Sequence, residues 1–99
     1  MKKTAILAVC NHEGILATIL RLLAGNEQWE PVGAADLTQA TDLLSERHFD
    51  IVLLGSGMDE QDNEVLKKQV PHVPVIEHYG GGSGLLFGEI YQALGRSSG

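Results

Sequence analysis

Two histidines lie beside acidic residues at places where an apolar segment has just ended. His12 and Glu13 follow the first apolar segment, and His78 follows Glu77 after the last short one. Two histidines and one carboxylate can bind a transition metal, because imidazole nitrogen and carboxylate oxygen are common ligands of such ions. The chain lacks the H-x-x-x-H spacing that would place two histidines on one helix face. We therefore interpret these histidines as solvent-exposed and predict no metal site and no cofactor.

Two side chains could act as nucleophiles, Cys10 and Ser56. Cys10 ends an apolar strand beside a predicted helix start, where a thiol is more often packed than reactive. Ser56 lies between two glycines, but the G-x-S-x-G turn of a nucleophile elbow is incomplete. Because neither residue has a base fixed by its spacing, we predict that the protein is not an enzyme.

A glycine-rich loop, residues 80–84 (GGGSG), precedes the last predicted helix. Free backbone N–H groups at a helix start could bind an anion. The lysine and the spacing of a Walker motif are absent. The favoured interpretation is a flexible connection between a strand and a helix.

Length and composition predict one soluble domain. The chain has 99 residues, a net charge of −6 and a single cysteine. Its seven basic residues are scattered rather than gathered into the basic footprint of nucleic-acid binders, so no direct nucleic-acid binding is expected. The N-terminal apolar stretch, Ala5 to Cys10, is too short for a signal segment or a membrane span. We expect a cytoplasmic domain over residues 1–95 and a disordered tail over 96–99.

Apolar runs alternate with helical patterns along the whole chain. Predicted strands cover residues 4–10, 31–35, 49–54 and 73–76, and predicted helices cover 14–24, 36–47, 59–69 and 85–94. Asn11 is the expected N-cap of the first helix. Strands alternating with helices predict right-handed crossovers and a parallel sheet with helices on both faces. The fold class is therefore α/β with three layers.

Three segments resemble the receiver domains of two-component response regulators. Residues 6–15 (ILAVCNHEGI) are similar to that family's first strand and its turn, 50–55 (DIVLLG) to the third strand, and 73–80 (VPVIEHYG) to the fourth. The resemblance implies a flavodoxin-like, doubly wound sheet. From Gly80 the chain enters its last helix without the family's fourth helix and fifth strand. We thus expect four strands, five at most, in the order 2-1-3-4.

The residues that perform the chemistry of receivers are missing at the matching positions. The two acids that hold Mg²⁺ correspond to Cys10 and Asn11, and the phosphate-accepting aspartate corresponds to Gly55. The family's threonine or serine after strand four corresponds to Tyr79. The family's lysine after strand five has no counterpart, because no lysine follows Lys68. A thiol and an amide are poor ligands for magnesium. The resemblance therefore implies a degenerate receiver that forms no aspartyl phosphate.

The resemblance implies a non-enzymatic signalling domain that works by protein contact. An alternative function is a small-ligand or anion-binding module in the crevice at the carboxyl ends of the strands, formed by Asn11, His12, Ser56, Tyr79, Gly80, Gly81 and Gly82. A cobalamin-binding flavodoxin-like domain is a weaker resemblance, because only the positions of its serine and its glycine pair are loosely matched.

The predicted first helix is apolar around most of its circumference, with Arg21 as its only charge. One face packs on the sheet, and the doubly wound fold places the last helix beside the first. The apolar side chains that neither the sheet nor the last helix covers predict an exposed apolar patch. They also predict a homodimer through these two helices. The predicted interface residues are Leu16, Leu20, Leu23, Phe87 and Tyr91. The alternative is pairing of two copies along the edge of strand four.

Overall fold

The computed structural model describes residues 3–55, 59–77 and 83–97. Four strands and four helices alternate along the chain: β1 Thr4–Val9, α1 Glu13–Ala24, β2 Trp29–Ala34, α2 Leu37–Glu46, β3 Ile51–Leu54, α3 Glu60–Gln69, β4 Val75–Glu77 and α4 Ser83–Ser97. All strand pairs are parallel, in the order β2-β1-β3-β4. This confirms the predicted fold class and strand order.

Each face of the sheet has its own apolar core. In β1, Ile6 and Ala8 belong to one cluster, whereas Leu7 and Val9 belong to the other. The alternation follows from the period of two along a strand. The first cluster contains side chains of α1 and α4, and the second contains side chains of α2 and α3. The sheet is therefore covered on both faces, which makes three layers.

The caps of the helices differ in one place from the sequence prediction. The backbone N–H of Ile15 donates to Nδ1 of His12 over 3.2 Å, so His12, not Asn11, is the N-cap of α1. Asn11 lies one residue too early, because the helix begins at Glu13. Asp36, the first residue of the predicted second helix, is the N-cap of α2 and accepts a hydrogen bond from the N–H of Gln39 over 2.9 Å.

The apolar surplus of α1 is largely covered by β2. A Cβ atom on Gly33 would lie 2.7 Å from Cδ1 of Leu20 and 3.5 Å from both Cδ atoms of Leu16. The missing side chain of Gly33 thus gives α1 room to pack closely on the outer strand. Leu16 and Leu20 are only half-exposed, and Leu23 is completely buried in the cluster that contains Leu86 and Ile90. The prediction that Leu23 belongs to an exposed patch was wrong.

The boundaries of β2, β4 and α4 also differ from those predicted. β2 begins at Trp29, and β4 begins only after Pro74, which has no N–H for the ladder. α4 extends to Ser97, so residues 96 and 97 are helical where a disordered tail was expected. Residues 98 and 99 lie outside the described residues. None of the helices within the described ranges is long and apolar enough to cross a membrane.

The two outer strands, β2 and β4, differ in how well they are protected against pairing with a strand of another molecule. Thr4 and Cys10 donate their N–H groups to the carbonyl oxygens of Gln28 (2.8 Å) and Ala34 (3.1 Å). Because backbone groups point inward and outward in alternation, Pro31 of β2 occupies an outward-facing position. A proline there removes an N–H donor that another strand could bind. β4 is short, and its three residues include no proline.

Candidate functional site

Cys10 and Gly55 are neighbours at the carboxyl edge of the sheet. Each directly follows a strand, β1 for Cys10 and β3 for Gly55, and these strands pair Val9 with Leu54. The N–H of Gly55 donates to the carbonyl of Val9 over 2.8 Å. This edge is where doubly wound folds usually bind their ligands. The structure therefore brings together two of the positions that the sequence singled out.

The Cys10 side chain fills the space beside Gly55. Cys10 is completely buried, and its thiol donates a hydrogen bond to the carbonyl oxygen of His12 over 3.5 Å. A Cβ atom on Gly55 would lie 3.0 Å from both Cβ and Sγ of Cys10, and 3.6 Å from Cδ1 of Ile19. Such distances require the neighbours to move. Any side chain at position 55 would therefore compete with Cys10 for the same volume.

The other predicted site residues fall into two groups. Asn11 and His12 are exposed at the start of α1, and the Nδ1 atom of His12 is already used as the helix cap. Ser56, His78, Tyr79, Gly80, Gly81 and Gly82 lie outside the described residues. The predicted crevice therefore stays a prediction. Among residues 3–55, 59–77 and 83–97, no three His, Cys, Asp or Glu side chains are grouped so that they could hold a metal ion.

A second concave region lies where α1 ends, β2 begins and α4 passes by. Its floor is Trp29, which is 5% exposed, with the ring of Phe87 at 5.7 Å and that of Tyr91 at 5.3 Å between centroids. The cavity has a volume of about 470 Å³. We call it the aromatic pocket. Its volume lies within the range of small ligand sites.

Asn26 holds the walls of the aromatic pocket together. Its Nδ2 donates to the hydroxyl of Tyr91 over 3.4 Å, and its Oδ1 accepts from the N–H of Gln28 over 2.9 Å. The turn after α1 is thereby tied to α4. Sequence reasoning missed this pocket, because Trp29 was placed before the predicted strand. The signal that could have found it is the chain's only tryptophan, three residues after the helix-ending Gly-Asn pair.

Two of the remaining residues of the predicted interface line this pocket, and two lie earlier on α1. Phe87 lines it and is half-exposed, and Tyr91 lines it and is 58% exposed. Leu16 and Leu20 lie on the neighbouring part of α1 and are half-exposed. The exposed large apolar side chains of the described residues are Ile15, Val65 and Tyr91. The available apolar surface is therefore smaller than the sequence predicted.

The whole arrangement is similar to that of several solved structures. The signal receiver domain of an HD domain-containing protein from Pseudomonas fluorescens Pf-5 matches with a TM-score of 0.86 and 21% identity over 98% of both chains. A CheY-like receiver domain protein from Methanospirillum hungatei JF-1 matches with a TM-score of 0.86 and 16% identity, again over 98% of both. The chain has the receiver-domain fold.

NtrX from Brucella abortus contains a region of the same receiver fold. It matches 97% of this chain with a TM-score of 0.84 and 20% identity, but the match spans only 28% of the NtrX chain. No protein-family model and no curated protein sequence matches this chain. The receiver resemblance noted in the sequence is thus confirmed at the level of the fold.

Proposed function

We propose that this receiver-like domain is a signalling regulatory domain that acts through protein contact and is not phosphorylated. The receiver fold supports the regulatory part of the proposal. The contact between Cys10 and the empty side-chain position of Gly55 supports the second part and is the observation that carries it.

Formation of an aspartyl phosphate needs a carboxylate nucleophile and a magnesium ion held by acidic oxygens. The position after β3 is a glycine, and the position after β1 is a buried thiol whose hydrogen points at a carbonyl oxygen. Neither group can attack a phosphoryl donor as a carboxylate does. An aspartate at position 55 would in addition collide with Cys10. The side chain of Cys10 thus fits the space beside Gly55, and neither residue supplies a group that would accept a phosphate.

A domain of this kind works by presenting its surface to other proteins. With a net charge of −6, its partners are proteins rather than nucleic acids, and its setting is the cytoplasm.

We further propose that one partner is a second copy, bound through α1 and α4 at Leu16, Leu20, Phe87 and Tyr91. A Leu20→Glu substitution would not test this contact by itself, because it would also disturb the packing of Leu20 on Gly33 within one chain. Light scattering at micromolar concentration tests it, and a mass near 10.7 kDa would refute self-association.

The test of the phosphorylation proposal is incubation with acetyl phosphate and Mg²⁺, followed by intact mass measurement. We expect the mass of the wild-type chain to stay unchanged, while a phosphorylatable receiver in the same tube gains one phosphoryl group. The variant Asp59→Asn/Asp62→Asn is the matched control, because these are the first two aspartates after Gly55 in the chain. A stable adduct on the wild-type chain would refute the proposal. Its loss in the variant would place it at the start of α3.

A further inference from the structure

The aromatic pocket contains one charged side chain, the carboxylate of Glu27. Glu27 is exposed, and within the described ranges of the chain it has no hydrogen-bond or ion-pair partner for its carboxylate. The rings of Trp29 and Tyr91 line the same pocket. Aromatic faces attract cations within about 6 Å of the ring centroid. A carboxylate next to such faces is therefore suited to a cationic side chain, above all to the planar guanidinium of arginine.

The same molecule shows this combination with its arginine in place. On the opposite face of the sheet, the guanidinium of Arg47 lies 5.0 Å from the centroid of the Phe49 ring. It also forms a 2.9 Å ion pair with the carboxylate of Glu30. One ring and one carboxylate thus hold one arginine there. The aromatic pocket offers the same two groups, Tyr91 and Glu27, to an arginine from outside.

Two arginines have side chains that the structure describes, Arg21 and Arg47, and Arg21 is the one available for this pocket. It is exposed in the last turn of α1, one helical turn before Gly25, which belongs to the pocket wall. Among the residues that the structure describes, Arg21 has no hydrogen-bond or ion-pair partner for its side chain. Arg47 is already engaged with Glu30. Arg21 and the pocket therefore lie on neighbouring parts of the surface proposed for self-association.

We propose that Arg21 of one copy binds in the aromatic pocket of the second copy, between Tyr91 and Glu27. This inference rests on the proposed self-association. In a two-fold dimer every contact occurs twice, so each copy donates one arginine and receives one. The two ion pairs fix the relative orientation of the α1 helices. They also reduce the repulsion between two chains that each carry a net charge of −6.

The test measures the dissociation constant of the dimer by sedimentation in a series of charge variants. Arg21→Gln and Glu27→Gln should each weaken the dimer about tenfold or more, because each leaves one charge of a close pair unmatched. Arg21→Glu and Glu27→Arg should weaken it further, and the double variant Arg21→Glu/Glu27→Arg should recover most of the loss. This rescue separates a direct pair from a general effect of charge.

Lys3 provides the matched control. It lines a neighbouring cavity that also includes Glu27, so Lys3→Gln removes the same charge from the same region. We expect Lys3→Gln to leave the dissociation constant within about twofold of the wild type, as is usual for a peripheral charge. Equal effects of Lys3→Gln and Arg21→Gln, or no rescue by the double variant, would overturn the inference while the dimer stands. A monomeric wild type would overturn both the inference and the proposed self-association.

Discussion

The two ends of the sheet differ in how their space is used. At the carboxyl end, the thiol of Cys10 fills the volume beside Gly55 and is itself completely buried. At the amino end, Trp29 is the floor of an open cavity of about 470 Å³ with Tyr91 on its wall. Parallel α/β folds usually place their ligand sites at the carboxyl end. In this chain the described concave surface of aromatic residues lies at the other end.

This difference shows that the two ends of one parallel sheet can be packed in different ways. Receiver domains use the carboxyl edge, and here a cysteine and a glycine pack together at that edge as part of the core. The amino edge has rigid rings and a tied turn, which suit binding rather than catalysis.

Trp29→Ala should give the largest effect and tests whether the amino end is part of the core. Trp29 is 5% exposed and packs against Phe87 and Tyr91. Removing a buried tryptophan usually costs about 3–5 kcal/mol of unfolding free energy. Urea unfolding followed by circular dichroism measures the loss, with Trp29→Phe as the control that keeps one ring. A loss below about 1 kcal/mol would mean that the pocket floor is not packed as described.

Gly55→Ala should give an intermediate effect and tests whether the carboxyl end is closed. The new methyl group would lie 3.0 Å from two atoms of Cys10, and overpacking of this kind costs about 1–3 kcal/mol. Gly88→Ala in α4 is the matched control, because a Cβ there has no atom within 4 Å. That control should raise the unfolding free energy by about 0.5–1 kcal/mol, since alanine favours the helix.

A second substitution locates the cause of the Gly55→Ala effect. Cys10→Gly removes both atoms that would lie 3.0 Å from the new methyl group. Although Cys10→Gly destabilises the chain by itself, Gly55→Ala should cost less in that background. If the cost of Gly55→Ala were the same with and without the Cys10 side chain, the two positions would not compete for space.

Asn26→Ala should give the smallest of these effects and tests how firmly the pocket walls are held. The change removes two hydrogen bonds, one to Tyr91 and one to the N–H of Gln28. Bonds of this type contribute about 0.5–1.5 kcal/mol each, and partial exposure favours the lower value. Tyr91→Phe removes only the first bond and should cost less. Equal losses in the two variants would show that the bond to Gln28 contributes nothing.

The sequence predicted the frame of the fold because its signals are local. The run Ile51 to Leu54 is apolar throughout and forms a strand buried on both faces. The predicted second helix begins at Asp36, and Asp36 caps α2. Alternating strands and helices then leave few topologies. The sequence also placed Cys10 and Gly55 at the ends of two clear strands, where the structure has them.

The wrong sequence predictions concern contacts between residues far apart in the chain, which local sequence patterns do not predict. The exposure of Leu23 was mispredicted, because Leu23 packs in the cluster that contains Leu86 and Ile90 of a helix far along the chain. The aromatic pocket joins the turn after α1 to a helix more than fifty residues later in the chain, as the hydrogen bond between Asn26 and Tyr91 shows. The N-cap shifted by one residue because the imidazole of His12 serves as acceptor.

The most direct test of the closed carboxyl end is the reactivity of the Cys10 thiol toward Ellman's reagent, with and without acetyl phosphate and Mg²⁺. Cys10 is the only cysteine, so the reaction reports this position alone. We predict that labelling of the native chain is at least about a hundredfold slower than in urea, because reaction requires local opening. The rate should also be the same with and without the phosphoryl donor. Fast labelling of the native chain, or a rate that changes with the donor, would contradict a closed site that does not respond to phosphorylation.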